Sequence, residues 1–177
     1  MKIAILGNAG SGKTTLALQL QQLLKLPLYH LDKYFWKPNW QPSEYAEFER
    51  IHNSLCGQPA WIIEGMNTRI VQYRIEAANI IIFLDVPRLA CLRRVIFRTI
   101  KNFINIPSTN PAGCRDRFSL TFFRFIWNFN LIQRERVLTL LQNYPTKKIF
   151  IIQNQQDLKH LLAILKEYEK SVNSIQL

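Results

Sequence analysis

The sequence predicts an α/β fold, with a five-stranded parallel sheet covered by helices on both faces. Five short apolar runs have the length of strands, and segments with helical spacing separate most of them. The fourth run is apolar throughout, which is typical of a strand buried on both faces. The runs fall at Ile3–Leu6, Leu28–Leu31, Trp61–Ile63, Ile80–Leu84 and Ile149–Ile152.

Length and composition indicate a globular domain with an anionic partner. A chain of 177 residues fits one domain, and 48% hydrophobic with 20% charged residues excludes disorder as the main state. Lys and Arg number 23 against 12 Asp and Glu, which gives a net charge of +11. Such a charge favours a nucleotide, a nucleic acid, a phosphorylated metabolite or a membrane surface as partner.

Cysteine usage and hydropathy indicate a cytoplasmic protein. Cys56, Cys91 and Cys114 are scattered and form no CxxC pair, so we expect neither a disulfide framework nor a structural zinc site. The first apolar run is short for a signal peptide, and no run approaches the roughly 20 residues that span a bilayer. We therefore expect a reducing compartment and no membrane partner.

The first half of the chain alternates strands, turns and helices. A glycine-rich turn follows the first strand, and a leucine-rich helix is predicted over Thr14–Leu26, before Pro27. Residues 33–41 carry many aromatic side chains and are predicted to form a loop. Another helix is predicted from Pro42-Ser43-Glu44 to about Leu55, because Gly57 and Pro59 follow it.

The second half carries a long basic segment between the fourth and fifth strands. A basic helix is predicted over Arg88–Phe103, and a Pro- and Gly-containing loop over Ile106–Gly113. The segment Leu120–Leu141 is predicted to be helical in part, with residues 128–130 as the place where it can break. A final helix is predicted from Gln156-Asp157 onward.

Acidic residues follow three of the predicted strands. Asp32, Glu64 and Asp85 come at the ends of the second, third and fourth strands, and the glycine turn comes at the end of the first. The carboxyl ends of parallel strands meet at one edge of a sheet, where ligands of such folds bind. The sequence therefore predicts that the chemistry gathers at this edge.

The glycine turn matches a phosphate-binding pattern. Gly7-Asn8-Ala9-Gly10-Ser11-Gly12-Lys13-Thr14 fits G-x-x-x-x-G-K-[ST] at every fixed position, between a strand and a helix. Backbone amides of such a loop point at phosphate oxygens, and the helix adds its positive end. Lys13 can reach the β- and γ-phosphates, and the Thr14 hydroxyl can bind Mg²⁺. The alternative is a glycine turn with an exposed lysine.

Beyond this loop the chain resembles the small P-loop kinases related to adenylate kinase, in the nucleoside monophosphate kinase superfamily. It is more similar still to the bacterial group called DNA topology modulation, or FlaR-like, proteins. The resemblance covers nearly the whole chain, and the motif N-K-x-D of signalling GTPases is absent. It rests on Gly7–Thr15, His30–Pro38, Trp61–Gly65 with Arg69, Phe83–Arg88, and Gly113-Cys114 with Phe118–Trp127.

The resemblance implies Mg-ATP on residues Gly7–Thr15 and a mobile lid inserted before the last strand. Two arginines on the helix leading into the lid contact ATP in this family, and Arg94 and Arg98 stand at those positions. They are four residues apart, so one helix face presents both. A solvated basic face is the alternative reading of this spacing.

The acceptor motif of adenylate kinases, Asp-Gly-Phe-Pro-Arg, appears here as Glu64-Gly65-Met66-Asn67-Thr68-Arg69. The resemblance implies that Glu64 holds Mg²⁺ through water and that Arg69 binds an acceptor phosphate. Both departures from the motif put direct adenylate kinase activity in doubt. The alternative is that either residue simply forms a plain ion pair.

Asp32 is the candidate for handling the acceptor. In kinases of small hydroxyl compounds, a carboxylate here positions the acceptor or takes its proton; an Asp that caps the next segment is the alternative. The neighbouring cationic and aromatic side chains could form a wall that stacks a base, or the rings could simply pack in the core. The residues of this wall are Lys33, Phe35, Trp36 and Lys37.

Three further positions have weaker signals. Asp85 is expected to be structural or to lie near the metal, and His30 is expected to be a buried, hydrogen-bonded histidine. Asn154 follows the last strand, where related kinases contact adenine, and is a positional candidate for that contact.

Basic charge is concentrated in the lid segment. Between Arg88 and Arg136 lie ten basic and two acidic residues. Lid arginines could cover the triphosphate, with Arg115, Arg117 and Arg124 as candidates. The same charge could instead bind nucleic-acid phosphates. The interleaved aromatic residues are expected to pack the lid helices on the core, with base stacking as the alternative.

The leading hypothesis is an ATP-dependent kinase that transfers the γ-phosphoryl group of Mg-ATP to a small acceptor, such as a nucleotide or nucleoside. Lys13, Arg94 and Arg98 would stabilise the moving phosphoryl group, while Asp32 and Arg69 hold the acceptor. One domain would carry an acceptor segment at about 32–60 and a lid at about 94–136. A nucleotide-dependent, nucleic-acid-binding regulatory protein and a slow ATPase are the alternatives.

Overall fold

The computed structural model describes residues 1–103, 110–114 and 119–175. Its strands are β1 (Lys2–Gly7), β2 (Leu28–His30), β3 (Trp36–Lys37), β4 (Gln41–Pro42), β5 (Trp61–Glu64), β6 (Ile80–Leu84) and β7 (Lys148–Ile152). Its α-helices are α1 (Lys13–Leu24), α2 (Leu31–Phe35), α3 (Tyr45–Gly57), α4 (Val71–Ala77), α5 (Arg88–Phe103), α6 (Leu120–Gln142) and α7 (Gln155–Ile175).

Five parallel strands form the main sheet, in the order β2–β5–β1–β6–β7. The central strand β1 pairs with β5 on one side and β6 on the other, with Ile3 opposite Ile62 and Ile80. The four residues Ile3, Ala4, Ile5 and Leu6 expose none of their surface, because helices cover both faces. The predicted fold class is confirmed.

Alternation along the strands divides the core into two layers. Successive side chains of a strand point to opposite faces, so neighbours in sequence join different clusters. One cluster joins β1, β5 and β6 to α3, α4 and α6, with Leu6, Phe48, Trp61, Ile75 and Phe83 among its buried members. The other joins the same strands to α1 and α7, with Ile5, Leu16, Leu20, Ile82 and Leu161 among its buried members.

A third, smaller cluster fastens α5 and α6 over the phosphate loop. Cys91, Val95 and Ile126 are buried in it, and Phe122 and Phe123 pack against them. Phe122 and Phe123 thus pack as predicted for the aromatic residues of this segment, whereas Phe125 and Trp127 are 44% and 40% exposed.

The segment 33–41 is more ordered than the predicted loop. The strand β2 ends at His30, and α2 follows at once, so Asp32 lies in the first turn of a short helix and not at the strand end. Then β3 and β4 form a small antiparallel hairpin around the 3₁₀ turn Pro38–Trp40. The hydroxyl of Ser43 stabilises this arrangement by donating to the carbonyls of Tyr34 and Phe35 at 3.0 and 2.9 Å.

The helix α6 runs without the break considered at residues 128–130. Phe129 is 2% exposed and anchors this stretch in the core, so tertiary packing outweighs the low helix propensity of the two flanking Asn residues. Ser119 caps the helix by accepting from the amide of Phe122 at 3.3 Å. Half of the predicted loop Ile106–Gly113, residues 106–109, lies outside the described residues.

The helix α4 is an element that the sequence did not predict. It has seven residues, and Val71, Arg74 and Ile75 form its buried side. Within residues 1–103, 110–114 and 119–175, no helix combines the length and the apolarity needed to cross a membrane.

Candidate nucleotide and acceptor site

The phosphate loop connects β1 to α1 and depends on glycine backbone geometry. Gly7, Gly10 and Gly12 have φ angles of 143°, 78° and 103°, which other residues rarely adopt. A Cβ placed on Gly10 would lie 2.5 Å from the carbonyl oxygen of Cys91. Glycine therefore both forms this turn and lets α5 approach it closely.

Polar groups of the loop remain available to a ligand. The hydroxyl of Ser11 is buried and has no hydrogen-bond partner among the described residues. Gly12 has no side chain that could cap α1, so the first amides of the helix are free of a side-chain acceptor. Lys13 folds over the loop and donates from Nζ to the carbonyl of Asn8 at 2.9 Å. Such uncapped amides with a lysine beside them fit a phosphate chain.

The helix α5 brings two arginines to this loop. Arg94 donates from Nη1 to the carbonyl of Ser11 at 3.1 Å. Arg98 is half-buried, its Nε has no hydrogen-bond partner among the described residues, and its charge acts on Asp32. The helix face that carries both arginines therefore points at the candidate site.

The carboxylate of Glu64 forms a polar cluster with α1 and β2. Glu64 is 5% exposed, and its Oε1 lies 3.2 Å from the Thr14 hydroxyl and 2.7 Å from Nδ1 of His30. Burial works to raise the pKa of Glu64, but the hydrogen bond from His30 and the charge of Lys13 outweigh it, and the net pKa is lowered. Glu64 is thus held as an anion beside the phosphate loop.

Asp32 faces the same groups from α2. The residue is exposed, and the charges of Lys13, Glu64, Arg98 and His30 act on its carboxylate. Desolvation raises the pKa of Asp32, and the charge of Glu64 adds to this, while Lys13, Arg98 and His30 oppose it. A carboxylate with a raised pKa is suited to accept a proton.

A cavity of about 370 Å³ is lined in part by residues 66–69, which follow Glu64 and Gly65 in the sequence. Arg69 is its cation and stacks over the ring of Tyr45, with 5.3 Å from Cζ to the ring centre. Gln133 contributes a buried Oε1 that has no partner among the described residues. Four of the nine lining residues are aromatic and none is a carboxylate: Phe35, Tyr45, Met66, Asn67, Thr68, Arg69, Phe125, Phe129 and Gln133.

The proposed acceptor wall reaches this cavity at one residue. Phe35 lines the cavity and packs edge-on against Phe48 at 4.9 Å. Trp36 lies behind Phe35, at 4.8 Å between ring centres, and does not line the cavity. Lys37 contacts Glu47 at 3.7 Å on the surface, and Lys33 is exposed. Packing between rings thus accounts for most of this aromatic segment.

Asp85 has a structural partner. Arg134 of α6 holds its carboxylate at 2.7 and 2.8 Å, and Gln153 donates to it at 2.9 Å. Asn154 follows β7 at the same edge of the sheet, and its Oδ1 accepts from the amides of Gln156 and Asp157 at 2.8 and 3.0 Å. Its side chain therefore caps α7.

The lid arginines are distributed unevenly. Arg115 and Arg117 lie outside the described residues, and Arg124 is exposed on α6. Arg88 stacks over the ring of Trp127 at 4.1 Å and joins the two lid helices.

The sequence analysis did not identify two residues of the site, Gln133 and Arg74. Gln133 carried no signal, because a lone glutamine on a long helix is usually solvated. Arg74 lies with Val71 and Ile75 at spacings of three and one, a pattern that would have placed it on a buried face had α4 been predicted.

Comparison with solved structures identifies similar folds. The chain matches shikimate kinase from Aquifex aeolicus vf5 at 18% identity and a TM-score of 0.55, over 95% of this chain and 98% of that one. It matches the enzyme from Bacteroides thetaiotaomicron at 14% identity and a TM-score of 0.56, over 96% and 98%.

Shikimate kinase from Acinetobacter baumannii, in complex with shikimate, matches at 13% identity and a TM-score of 0.59, over 98% of this chain and 91% of that one. No protein-family model matches the chain, and no curated protein matches it. At these identities the likeness concerns the fold. The chain therefore has a P-loop, nucleoside monophosphate kinase-like α/β fold, which it shares with shikimate kinases.

Proposed function

We propose that this protein is an ATP-dependent kinase that phosphorylates a small molecule. The observation that carries the proposal is the set of charges around Asp32, which include Lys13 of the phosphate loop and Arg98 of α5. A carboxylate that interacts with the charges of a phosphate-loop lysine and a nearby arginine is suited to orient an acceptor hydroxyl for phosphoryl transfer. The likeness in fold to small-molecule kinases supports this proposal.

Mg²⁺ fits the oxygen ligands beside the loop. Mg²⁺ usually binds one or two protein oxygens together with substrate phosphates and water, not a cage made by protein alone. The Thr14 hydroxyl and the Glu64 carboxylate lie 3.2 Å apart and offer such a pair. The ion would neutralise charge on the β- and γ-phosphates.

Different residues of the chain would then have different roles in the reaction. An acceptor oxygen attacks the γ-phosphorus while the bond from that phosphorus to the β,γ-bridging oxygen breaks, and ADP leaves. Asp32 takes the proton from the acceptor hydroxyl. Lys13, Arg94 and Arg98 stabilise the negative charge on the transferred group. Positioning and electrostatics supply most of the catalysis in this scheme.

The cavity supports an acceptor with a flat apolar body and an anionic end. Aromatic rings on two sides suit a planar group, and Arg69 is the cation that would bind a phosphate or carboxylate. The unpartnered Oε1 of Gln133 would accept from a ligand N–H or O–H group. Nucleotides have this combination of groups, and we propose them, with the corresponding nucleosides, as the first acceptors to test.

The basic segment gives less support to a nucleic-acid partner. Four of its arginines are already engaged inside the protein, since Arg94 contacts the loop, Arg98 acts on Asp32, Arg134 holds Asp85 and Arg88 stacks on Trp127. Among the described residues, the exposed remainder is scattered over two helices, at Arg93, Lys101, Arg124 and Arg136.

A screen with γ-labelled ATP tests the proposal. Nucleosides, nucleotides and small hydroxyl compounds are offered with Mg²⁺, and we expect a labelled product from at least one of them. Lys13→Met and Asp32→Asn should abolish the product, while Arg50→Met, on the exposed side of α3, should not. A DNA titration at two salt concentrations runs beside it. ATP-sensitive DNA binding or ATP hydrolysis, without any labelled acceptor, would contradict the kinase proposal.

A further inference from the structure

Arg74 is a fully buried cation beside the candidate site. It lies in α4 and exposes none of its surface. Its Nη2 donates to the carbonyl of Gly65 at 2.9 Å, while Nε and Nη1 have no hydrogen-bond partner among the described residues. Burying a charged group with unmade hydrogen bonds destabilises a fold. Such a residue therefore calls for a reason other than packing.

Arg74 remains charged at neutral pH. Burial lowers its pKa to about 10, and the charges of Cys56, Glu64 and Asp32 act in the opposite direction. A cysteine thiolate is not its partner, because burial raises the pKa of Cys56 to about 11. His52, whose pKa burial lowers to about 4, is neutral as well. Glu64 and Asp32, the two carboxyl groups of the candidate site, are the other acidic groups whose charges act on this cation.

The hydrogen bond from Arg74 holds Gly65, a residue at which several parts of the candidate site meet. Gly65 has a φ of 136°, and a Cβ placed on it would lie 2.9 Å from Cβ of Leu31. Gly65 directly follows Glu64 and begins the segment 66–69 that lines the acceptor cavity. Leu31 directly precedes Asp32. The carbonyl that Arg74 binds therefore belongs to the residue that links Glu64 to segment 66–69 of the cavity. The same residue packs against Leu31, next to Asp32.

We infer that Arg74 is a positioning residue for the proposed phosphoryl transfer. It fixes the Gly65 carbonyl so that Glu64 faces Thr14, and it balances the charge of the two carboxylates without touching nucleotide or acceptor. This inference rests on the proposed function, because it assumes that Glu64 helps to hold Mg²⁺. It predicts that loss of Arg74 weakens the effect of Mg²⁺ on ATP binding and leaves the phosphate loop itself intact.

Calorimetry of ATP binding with and without Mg²⁺ tests this inference before any acceptor is known. For Arg74→Met we expect the gain in ATP affinity from Mg²⁺ to fall by about tenfold or more, as for other residues that orient metal ligands. ATP affinity without Mg²⁺ should equal that of the wild type. Arg74→Lys, which keeps a cation and a donor, should recover part of the gain, and Arg50→Met should keep all of it.

Two results would overturn the inference, and they separate it from the proposed function. If the wild type gains affinity from Mg²⁺ and a folded Arg74→Met variant gains as much, Arg74 does not position the site. If Arg74→Met does not fold, as judged by its melting curve, Arg74→Lys decides by the same criterion. If the wild type itself gains nothing from Mg²⁺, the metal site of the proposed function fails, and the inference fails with it.

Discussion

Arg134 grips Asp85 with two hydrogen bonds, from Nε to Oδ1 at 2.7 Å and from Nη2 to Oδ2 at 2.8 Å. The pair joins the middle of α6 to the carboxyl end of β6. Because α6 also carries Phe125 and Gln133 of the cavity, this ion pair holds one wall of the candidate acceptor site against the sheet. Asp85, which the sequence placed near the chemistry of the site, thus fastens α6 to the sheet.

Asp85→Asn is expected to lower the free energy of unfolding by about 1–3 kcal/mol at neutral pH, as for the loss of hydrogen bonds to a charged group. The hydrogen bonds from Arg134 lower the pKa of Asp85 below its ordinary 3.8. The stabilisation is therefore complete above that value and is lost as the pH falls through the lowered pKa. Urea unfolding at several pH values measures it.

The exposed neighbour of this pair provides the control. Glu135 accepts from Nη1 of Arg134 at 2.7 Å, and its side chain is 66% exposed. Glu135→Gln should therefore change stability by well under about 1 kcal/mol. The assignment to Asp85 is wrong if the two variants unfold alike, or if the deficit of Asp85→Asn does not shrink in acid.

Gly10→Ala is expected to abolish nucleotide binding. The added Cβ would be strained at a φ of 78° and would lie 2.5 Å from the Cys91 carbonyl oxygen, so the loop and α5 cannot both keep their places. Gly57→Ala is the matched control, because a Cβ there meets nothing within 4 Å. Calorimetric titration with ATP compares the two variants, and equal affinities would contradict the close approach of α5.

Arg94→Met is expected to reduce ATP turnover by about a hundredfold, as for the loss of one group that stabilises charge in a transition state. Arg93→Met, at the adjacent and exposed position of the same helix, should leave turnover unchanged. Steady-state release of phosphate or product measures both. Similar rates for the two variants would favour the reading of this helix face as simply solvated.

Gly113→Ala is expected to detach the segment 110–114 from the β3–β4 hairpin. The amide of Asn39 donates to the Gly113 carbonyl at 3.1 Å, and the Cys114 thiol donates to the Lys37 carbonyl at 3.2 Å. A Cβ on Gly113, whose φ is 73°, would lie 2.8 Å from Cβ of Pro38. Cys114 is only 5% exposed, so detachment should speed its reaction with a thiol reagent.

A second substitution shows whether Cys114 is the thiol that reacts faster. In Gly113→Ala with Cys114→Ser the additional fast-reacting thiol should disappear, because Cys56 and Cys91 stay buried in the core. An unchanged thiol reaction rate in Gly113→Ala would show that the segment does not depend on this contact.

Much of the fold could be predicted because the informative patterns are local. The strand Ile80–Leu84 and the helix Arg88–Phe103 have the predicted bounds. An uninterrupted short apolar run indicates a buried strand, and the basic segment after it indicates a helix. Segment 33–41 was wrongly predicted as a loop. Its short helix and hairpin depend on contacts with Ser43 and with the segment 110–114, which no local pattern reveals.

The sequence by itself determined the five strands of the main sheet, the helices α1, α3, α5 and α7, and the phosphate loop. These follow from backbone preferences and periodicities that act over a few residues, such as the positive φ angles that glycine allows. Only the tertiary structure decided that Arg134 binds Asp85, that Arg74 binds Gly65, and that α6 lines the cavity. These contacts join separate elements, and packing of the two core layers, not any short stretch of chain, sets which side chains meet.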